Sequence, residues 1–349
     1  MLYLLTTTGK CNLKCRYCGG SFPEELVPYK IKYNIDSLIK MINSDSDATV
    51  VYYGGEPLMN SKFIQEINSR LKIKRIGIQT NGTLVKNFDK NFWRPFSFAL
   101  LSLDGDESLT DKNRGKDVYK GVIDSSLYLK NLGKELIARM TVTKDSNIYE
   151  DVIHILDLSI FDKVHWQLDV IWDEKWDIIK FADDVYLPGL EKLMDLFVEN
   201  VRSGKILKII PFIGILSAYY FRRFDYYPCG AGKNSITINP DGRILACPIA
   251  VSEKWNDLGH IDNGFKLIDS PFECKNCKYF SYCGGRCLFA FKERYWGDNG
   301  FKDVCYMTKR TIDIILSRVG ELDEIIKQDI IDKNSLFYDP IKDSTEIIP

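Results

Sequence analysis

The chain has 349 residues, with 47 lysines and arginines against 48 aspartates and glutamates, so its formal net charge is -1 at pH 7. This length is sufficient to bury a substantial core, and the balanced charge excludes any overall attraction to nucleic acid or to an anionic membrane. No apolar run is long enough to span a bilayer and no basic region precedes the N-terminal apolar run, so we expect a cytoplasmic location and reduced cysteines.

Extended apolar runs alternate with helical patterns over the first 210 residues. The predicted strands are Leu2–Thr7, Thr49–Tyr53, Lys74–Thr80, Ser97–Leu103, Leu136–Thr143 and Lys163–Val170. The predicted helices are Asp36–Asn43, Ser61–Leu71, Val118–Asn131 and Ile148–Ser159. Strand and helix in alternation predict an α/β fold with a parallel sheet. Six such units favour a partial (β/α)6 TIM-like barrel with its chemistry at the carboxyl ends of the strands; an open doubly wound sheet is the alternative.

The second part of the chain is built differently. A helical stretch, Gly189–Ser203, is followed by the aromatic-rich passage Tyr219–Tyr227 and by a hairpin pattern, Ser235–Asn239 and Arg243–Ala246. Apolar residues at helical spacing after residue 311 predict an amphipathic helix packed against the body. We therefore divide the chain into a barrel domain (1–210), a cysteine-rich domain with its linker (211–310) and a C-terminal helix and tail (311–349).

The ten cysteines fall into two tight groups, which favours metal binding over core packing. The first group is Cys11, Cys15 and Cys18, on a loop directly after a strand. Three thiolates at this spacing can hold three irons of a [4Fe–4S] cluster and leave the fourth iron open to a cofactor or substrate. A zinc site is the alternative, although the motif has no fourth ligand nearby.

This C-x3-C-x2-C loop resembles the signature of the radical S-adenosylmethionine (SAM) superfamily, in which an aromatic residue precedes the last cysteine, as Tyr17 does here. Three strand-end turns add to the resemblance: Gly54-Gly55-Glu56-Pro57, Gln79-Thr80-Asn81-Gly82 and Ser102-Leu103-Asp104-Gly105. The resemblance implies that the glycine-rich turn holds the methionyl amino group of SAM, with Glu56 accepting its charge. It also implies that Thr80, Asn81 and Ser102 contact the ribose and carboxylate. Arg114 and Arg139 are candidates to pair with the carboxylate, or are ordinary salt-bridge residues.

The second group matches the seven-cysteine pattern of the SPASM extension found in peptide-modifying radical SAM enzymes. Its members are Cys229, Cys247, Cys274, Cys277, Cys283, Cys287 and Cys305. The resemblance implies two further [4Fe–4S] clusters, three in all. It assigns Cys274, Cys277, Cys283 and Cys305 to an outer cluster, and Cys229, Cys247 and Cys287 to an inner one. With three cysteines, the inner cluster has either an open iron able to bind a substrate thiolate, or a non-cysteine ligand or water.

The resemblance implies a radical enzyme that acts on a peptide or protein, with oxidative cross-linking of a ribosomally made peptide, by thioether or carbon–carbon bonds, as the most concrete prediction. Oxidation, trimming, epimerisation and methylation remain alternatives. Pro248 follows Cys247 where sulfatase-maturing relatives have an acidic residue, which disfavours formylglycine formation. The expected partners are the peptide or protein substrate and an electron donor such as flavodoxin or ferredoxin. Because the motif begins at residue 11, we expect any leader on the substrate to be recognised by a separate partner protein or by the barrel mouth. A non-catalytic zinc- or iron–sulfur-binding module is the alternative of another class; it would not need the strand-end turns.

Overall fold

The computed structural model describes residues 1–170, 175–268 and 273–348. In these residues ten strands form one sheet. The strands are β1 Leu2–Thr6, β2 Thr49–Tyr53, β3 Arg75–Thr80, β4 Phe98–Ser102, β5 Glu135–Val142, β6 Lys163–Leu168, β7 Ser235–Ile238, β8 Arg243–Leu245, β9 Asp257–His260 and β10 Gly264–Phe265. The helices of the barrel half are α1 Ile35–Asn43, α2 Ser61–Arg70, α3 Lys90–Trp93, α4 Glu107–Arg114, α5 Val118–Asn131, α6 Ile148–Asp157, α7 Ile178–Phe181 and α8 Leu187–Arg202. The remaining helices are α9 Ile210–Tyr220, α10 Phe280–Cys283, α11 Leu288–Glu293, α12 Gly297–Ser317, α13 Val319–Lys327 and α14 Pro340–Asp343.

The six predicted strands of the barrel are all present, as β1 to β6, and each pairs in parallel with the next. Their side chains are buried on both faces; β1, for example, is buried throughout. Burial of both faces is expected of a parallel sheet whose strands are joined by helical crossovers. The prediction of a partial (β/α)6 barrel is confirmed. Because the six strands are parallel, their carboxyl ends lie at the same edge of the sheet.

The cysteine-rich half extends the same sheet. Strand β7 pairs in parallel with β1 on the side opposite β2, and β8, β9 and β10 follow in antiparallel order. The predicted hairpin is therefore present as β7 and β8. Because β7 lies directly beside β1, the cysteine-rich region is joined to the barrel next to the loop that carries Cys11, Cys15 and Cys18.

The helices depart from the sequence prediction in several places, and the short helices α3, α4, α7, α10, α11 and α14 were not predicted. Helix α9 was missed because its residues 210–218 are all buried, so it lacks the polar face that marks an amphipathic helix. The predicted C-terminal helix consists of two helices, α12 and α13, which separate at Arg318. Within the described residues, no helix has the length and apolar character needed to cross a membrane.

The residues after α13 enter the barrel. Asp343 pairs with Arg75, at the start of β3, and with Lys163, at the start of β6. From this rim residues 343–348, here called the inserted segment, continue into the interior, where Glu346 reaches Arg139 in the middle of β5. The apolar residues Ile347 and Ile348 are buried. The inserted segment thus fills part of the barrel that the strands alone would leave open.

Candidate active site

A cavity of about 460 Å³, here called the reaction cavity, lies at the carboxyl ends of the barrel strands. Its volume is in the range of small-molecule sites. The predicted site residues that line it are Cys11, Cys15, Tyr17, Cys18, Gly54, Gly55, Thr80, Asn81, Ser102, Arg114 and Arg139. Residues from the cysteine-rich half close it on the other side: Ile249, Val251, Ser252, Phe289 and Tyr295. The first cysteine motif and the strand-end turns therefore face one space.

The Gly54-Gly55 turn is packed against the loop that carries the first three cysteines. The Gly55 amide donates to the Thr8 carbonyl at 3.0 Å, and the amide after it donates to the Lys10 carbonyl at 2.7 Å. A Cβ atom on Gly54 would collide with the carbonyl oxygen of Thr8, and one on Gly55 with that of Lys10. The two glycines are thus required by contact with the cysteine loop, a reason that the sequence did not reveal.

The Glu56 side chain faces away from the reaction cavity. It is fully buried, and its carboxylate accepts hydrogen bonds from the amides of Leu58 and Asn81 and from the hydroxyl of Thr80, at 3.1, 2.9 and 2.8 Å. The prediction that Glu56 accepts the charge of a ligand amine is therefore wrong, because these three donors hold it inside the protein. The Glu56 carboxylate instead links its own turn, after β2, to the Thr80-Asn81 turn, after β3. Pro57, next to it, is also buried behind the cavity.

Asp104 and Arg114 form a buried ion pair beside Tyr17. The Arg114 guanidinium donates to both carboxylate oxygens, at 2.7 and 3.0 Å, and the Tyr17 hydroxyl donates to the same carboxylate at 2.9 Å. Burial alone would lower the pKa of Arg114, but Asp104 outweighs it and the pKa is raised. Asp104, in the third strand-end turn, does not line the reaction cavity, and its carboxylate is occupied by Arg114 and Tyr17. Arg114 reaches the cavity with its charge already balanced.

The inserted segment supplies an ion-pair partner for Arg139. Its guanidinium lies 3.1 Å from the Glu346 carboxylate, which is also 3.4 Å from Nε2 of His165. Burial opposes ionisation of Glu346, yet the neighbouring Arg139 outweighs it and the pKa of Glu346 is lowered. Burial and Arg139 together lower the pKa of His165 to about 3, so this imidazole is neutral. Arg139 is therefore a fixed cation that lines the reaction cavity.

A second, smaller cavity of about 120 Å³, here called the inner cavity, adjoins the first. Cys229, Cys247 and Cys287 line it, together with Arg139, Arg286 and Glu346. Burial raises the pKa of all three thiols, and the charge of Glu346 raises it further; for Cys229 and Cys247 the field of Cys287 adds to this effect. Three thiolates that line one small cavity need compensating positive charge, which the iron of a bound cluster would supply. The donor set thus fits an iron–sulfur cluster.

The other four cysteines of the second group form a separate set. Burial raises the pKa of Cys283 to about 11, and the fields of Cys305, Cys277 and Cys274 add to this effect. Cys229, Cys247 and Cys287 thus line one cavity, whereas Cys283 lies in the field of the other three cysteines; the assignment of the seven cysteines to two clusters stays a prediction. In the part of the chain that the structure describes, no three His, Cys, Asp or Glu side chains converge closely enough to hold a single metal ion.

Several residues on these cavities had no role in the sequence prediction. Tyr53, Gln79, Thr141, Phe289 and Tyr295 line the reaction cavity, and Arg286 and Glu346 line the inner one. Gln79 and Thr141 lie at or near strand ends, a signal that strand prediction could have used. No local pattern marks Glu346, whereas the position of Arg286 directly before Cys287 is a signal that the sequence prediction did not use.

Residues 5–159 match the sequence model of the radical SAM superfamily. Among curated proteins, a cysteine-type anaerobic sulfatase-maturating enzyme of Clostridium perfringens is 25% identical over 329 residues, covering 82% of this chain and 88% of the relative. The radical SAM cyclopropyl synthase TigE of Paramaledivibacter caminithermalis is 24% identical over 352 residues, covering 89% of this chain and 71% of the relative. These relatives span both halves of the chain.

Solved structures show the same fold. The native anSMEcpe structure with bound AdoMet superposes with a TM-score of 0.74 at 20% identity, covering 94% of this chain and 100% of the other. Streptococcus suis SuiB bound to its precursor peptide SuiA gives a TM-score of 0.55 at 19% identity, covering 82% and 72% of the two chains. The likeness extends over the barrel and the cysteine-rich half together.

Proposed function

We infer that the chain, whose residues 5–159 match the radical SAM model, is a radical SAM enzyme of the peptide- and protein-modifying type, and we propose that it cross-links a ribosomally made peptide oxidatively. One [4Fe–4S] cluster held by Cys11, Cys15 and Cys18 and two auxiliary clusters would be its iron cofactors. Together with bound SAM, the first cluster supplies a 5′-deoxyadenosyl radical that removes a hydrogen atom from an unactivated C–H bond.

A single observation supports this proposal most directly. The three thiols of the first motif, the strand-end turns and an apolar wall from the cysteine-rich half all line the reaction cavity. The polar floor can hold a charged nucleoside cofactor, with Arg139 as a fixed cation for a carboxylate. The wall of Ile249, Val251, Phe289 and Tyr295 can hold a substrate side chain and exclude water from it.

The inner cavity supports the oxidative character of the reaction. It shares Tyr53, Gln79, Arg139 and Gln167 with the reaction cavity, so the two spaces are neighbours. A cluster bound by Cys229, Cys247 and Cys287 would then lie beside the substrate, where it can accept an electron or coordinate a substrate thiolate. With only three cysteine ligands facing the inner cavity, a thioether-forming reaction at a substrate cysteine is the form of cross-linking that we favour.

Formylglycine formation is the second candidate, because the relative from Clostridium perfringens is a sulfatase-maturating enzyme. We rank it lower because Pro248, the residue after Cys247 on the inner cavity, cannot take or give a proton. A relative of similar identity is a cyclopropyl synthase, so relatedness alone does not favour formylglycine formation. We also propose a flavodoxin or ferredoxin as electron donor, a separate leader-binding protein and a cytoplasmic location.

The test is mass spectrometry of a short peptide encoded beside this gene, after anaerobic incubation with reconstituted enzyme, SAM and reductant. Loss of two hydrogens per event with 5′-deoxyadenosine formed would support cross-linking, and fragmentation would locate the new bond. A gain of a methylene unit or an uptake of solvent deuterium alone would indicate methylation or epimerisation instead. The variant Cys18→Ala is the control, since it should form no 5′-deoxyadenosine. Absence of 5′-deoxyadenosine from wild-type protein that contains its clusters would refute the proposal.

A further inference from the structure

Arg286 occupies a backbone conformation that arginine rarely adopts. It ends the turn Gly284-Gly285-Arg286, whose three φ angles are 57°, 88° and 64°, all in the left-handed region. Glycine tolerates this region, whereas a residue with a Cβ atom is disfavoured there. The turn connects Cys283 of the outer set to Cys287 of the inner set. An arginine kept at such a position indicates that its side chain has a role at this place.

The guanidinium of Arg286 is buried without a carboxylate partner. The residue is 6 % exposed, and its Nε has no hydrogen-bond partner. Across residues 1–170, 175–268 and 273–348 its side chain has no ion pair, and its nearest aromatic contact is the Phe301 ring at 5.9 Å. The other two arginines at the site, Arg114 and Arg139, are each paired with a carboxylate. A buried cation without an anion is unfavourable, so an anionic group bound beside Arg286 would stabilise it.

The inner cavity is the place where such an anionic group would meet Arg286. Arg286 lines the cavity together with Cys229, Cys247 and Cys287. The one carboxylate on the described lining, Glu346, is taken by Arg139. A cluster bound to three thiolates is an anion of the right size and place to meet the free guanidinium.

We propose that Arg286 is a positioning residue that donates a hydrogen bond to the iron–sulfur cluster of the inner cavity and raises its reduction potential. This inference rests on the proposed function, since it requires that cluster. Reduction adds negative charge to a cluster that is already anionic, and a fixed cation in a low-dielectric cavity favours the reduced form. Hydrogen bonds to cluster sulfur and nearby charge are among the means by which proteins set such potentials. The inner cluster is thereby made a better electron acceptor.

The test is a redox titration of the auxiliary clusters, followed by electron paramagnetic resonance. It uses the full chain with Cys11, Cys15 and Cys18 replaced by alanine, so that the first cluster is silent. Into this background Arg286→Gln, Arg286→Lys and Arg222→Gln are introduced. Arg222 is exposed, so its variant removes the same charge from the surface. We expect Arg286→Gln to reduce the equilibrium constant for reduction of one cluster at least tenfold, equal to about 59 mV for a one-electron couple.

Arg286→Lys should shift the same cluster in the same direction by less, because lysine keeps the charge and loses the planar donor group. Arg222→Gln should leave both potentials unchanged. Unchanged potentials in both Arg286 variants would overturn the inference. If Arg286→Gln does not fold, the lysine variant decides in the same way. Wild-type protein without auxiliary-cluster signals after reconstitution would instead refute the proposed function, so the two failures can be distinguished.

Discussion

The carboxylate of Glu346 lies 3.1 Å from the guanidinium of Arg139, although the two residues are 207 positions apart. Arg139 belongs to β5 and reaches both cavities, whereas Glu346 arrives on the inserted segment from the opposite rim of the barrel. The pair therefore ties the last described residues of the chain to the floor of the site. It fixes the position of the one arginine that we expect to bind a ligand carboxylate.

Glu346→Gln should destabilise the protein by about 1–3 kcal/mol, the usual cost of leaving a buried partner group unpaired. Arg139 would then lose its anion while it remains inside the barrel. Urea denaturation of wild type and variant measures the difference. Asp47→Asn is the matched control. Asp47 is exposed and pairs with Lys342, directly before the inserted segment, so its substitution should lower the free energy of unfolding by about 1 kcal/mol or less. Equal effects of the two substitutions would contradict the buried role of Glu346.

Asp104→Asn should lower the free energy of unfolding by about 3–5 kcal/mol, because it leaves the guanidinium of Arg114 as an unbalanced buried charge. Both side chains of this pair are less than one-tenth exposed. The control is Asp124→Asn in the exposed Lys86–Asp124 pair, which should cost about 0–1 kcal/mol. Denaturation midpoints of the two variants provide the comparison. A cost below about 1 kcal/mol for Asp104→Asn would show that water reaches Arg114.

Cys287→Ala and Cys283→Ala should affect different clusters, although the two residues are close in sequence. Cys287 lines the inner cavity with Cys229 and Cys247, whereas Cys283 lies in the field of Cys305 and its neighbours. We expect Cys287→Ala to change the same electron paramagnetic resonance signal as Cys247→Ala. Cys283→Ala should change the other auxiliary signal, as Cys305→Ala does. Loss of one common signal in all four variants would contradict the separation into two sets.

The stability of the protein should depend on pH through Glu56. Burial raises its pKa to about 7, although hydrogen bonds from Asn81, Leu58 and Thr80 act against this. The folded protein therefore binds this proton more tightly than the unfolded chain, whose glutamate pKa is about 4.3. The stabilisation that protonated Glu56 gives to the folded state is complete below the unfolded pKa of about 4.3. It is lost as the pH rises through the folded pKa of about 7.

We accordingly expect the Tm of wild type to fall relative to that of Glu56→Gln as the pH is raised from about 5 to about 8. The glutamine variant cannot ionise, so it serves as the reference for every other titrating group. Circular dichroism melts at closely spaced pH values would follow the difference. Parallel Tm profiles of the two proteins would mean that Glu56 keeps one charge state across this range.

The local signals of the sequence determined much of this protein. Alternating strand and helix patterns gave all six barrel strands, since periodicity and strand-end turns are properties of neighbouring residues. The spacing of Cys11, Cys15 and Cys18 after the first strand, together with the three turns, located the reaction cavity. Each of these features lies within a short stretch of chain, where local geometry decides what the residues can do.

The tertiary structure alone decided the features that join distant parts of the chain. It turned Glu56 away from the cavity, because three donors from two different turns hold its carboxylate. It separated Cys287 from Cys283, brought Glu346 to Arg139 and left Arg286 facing the inner thiols. The physical reason is that burial, ion pairing and the local field depend on which residues are neighbours in space, and no periodicity along the chain carries that information.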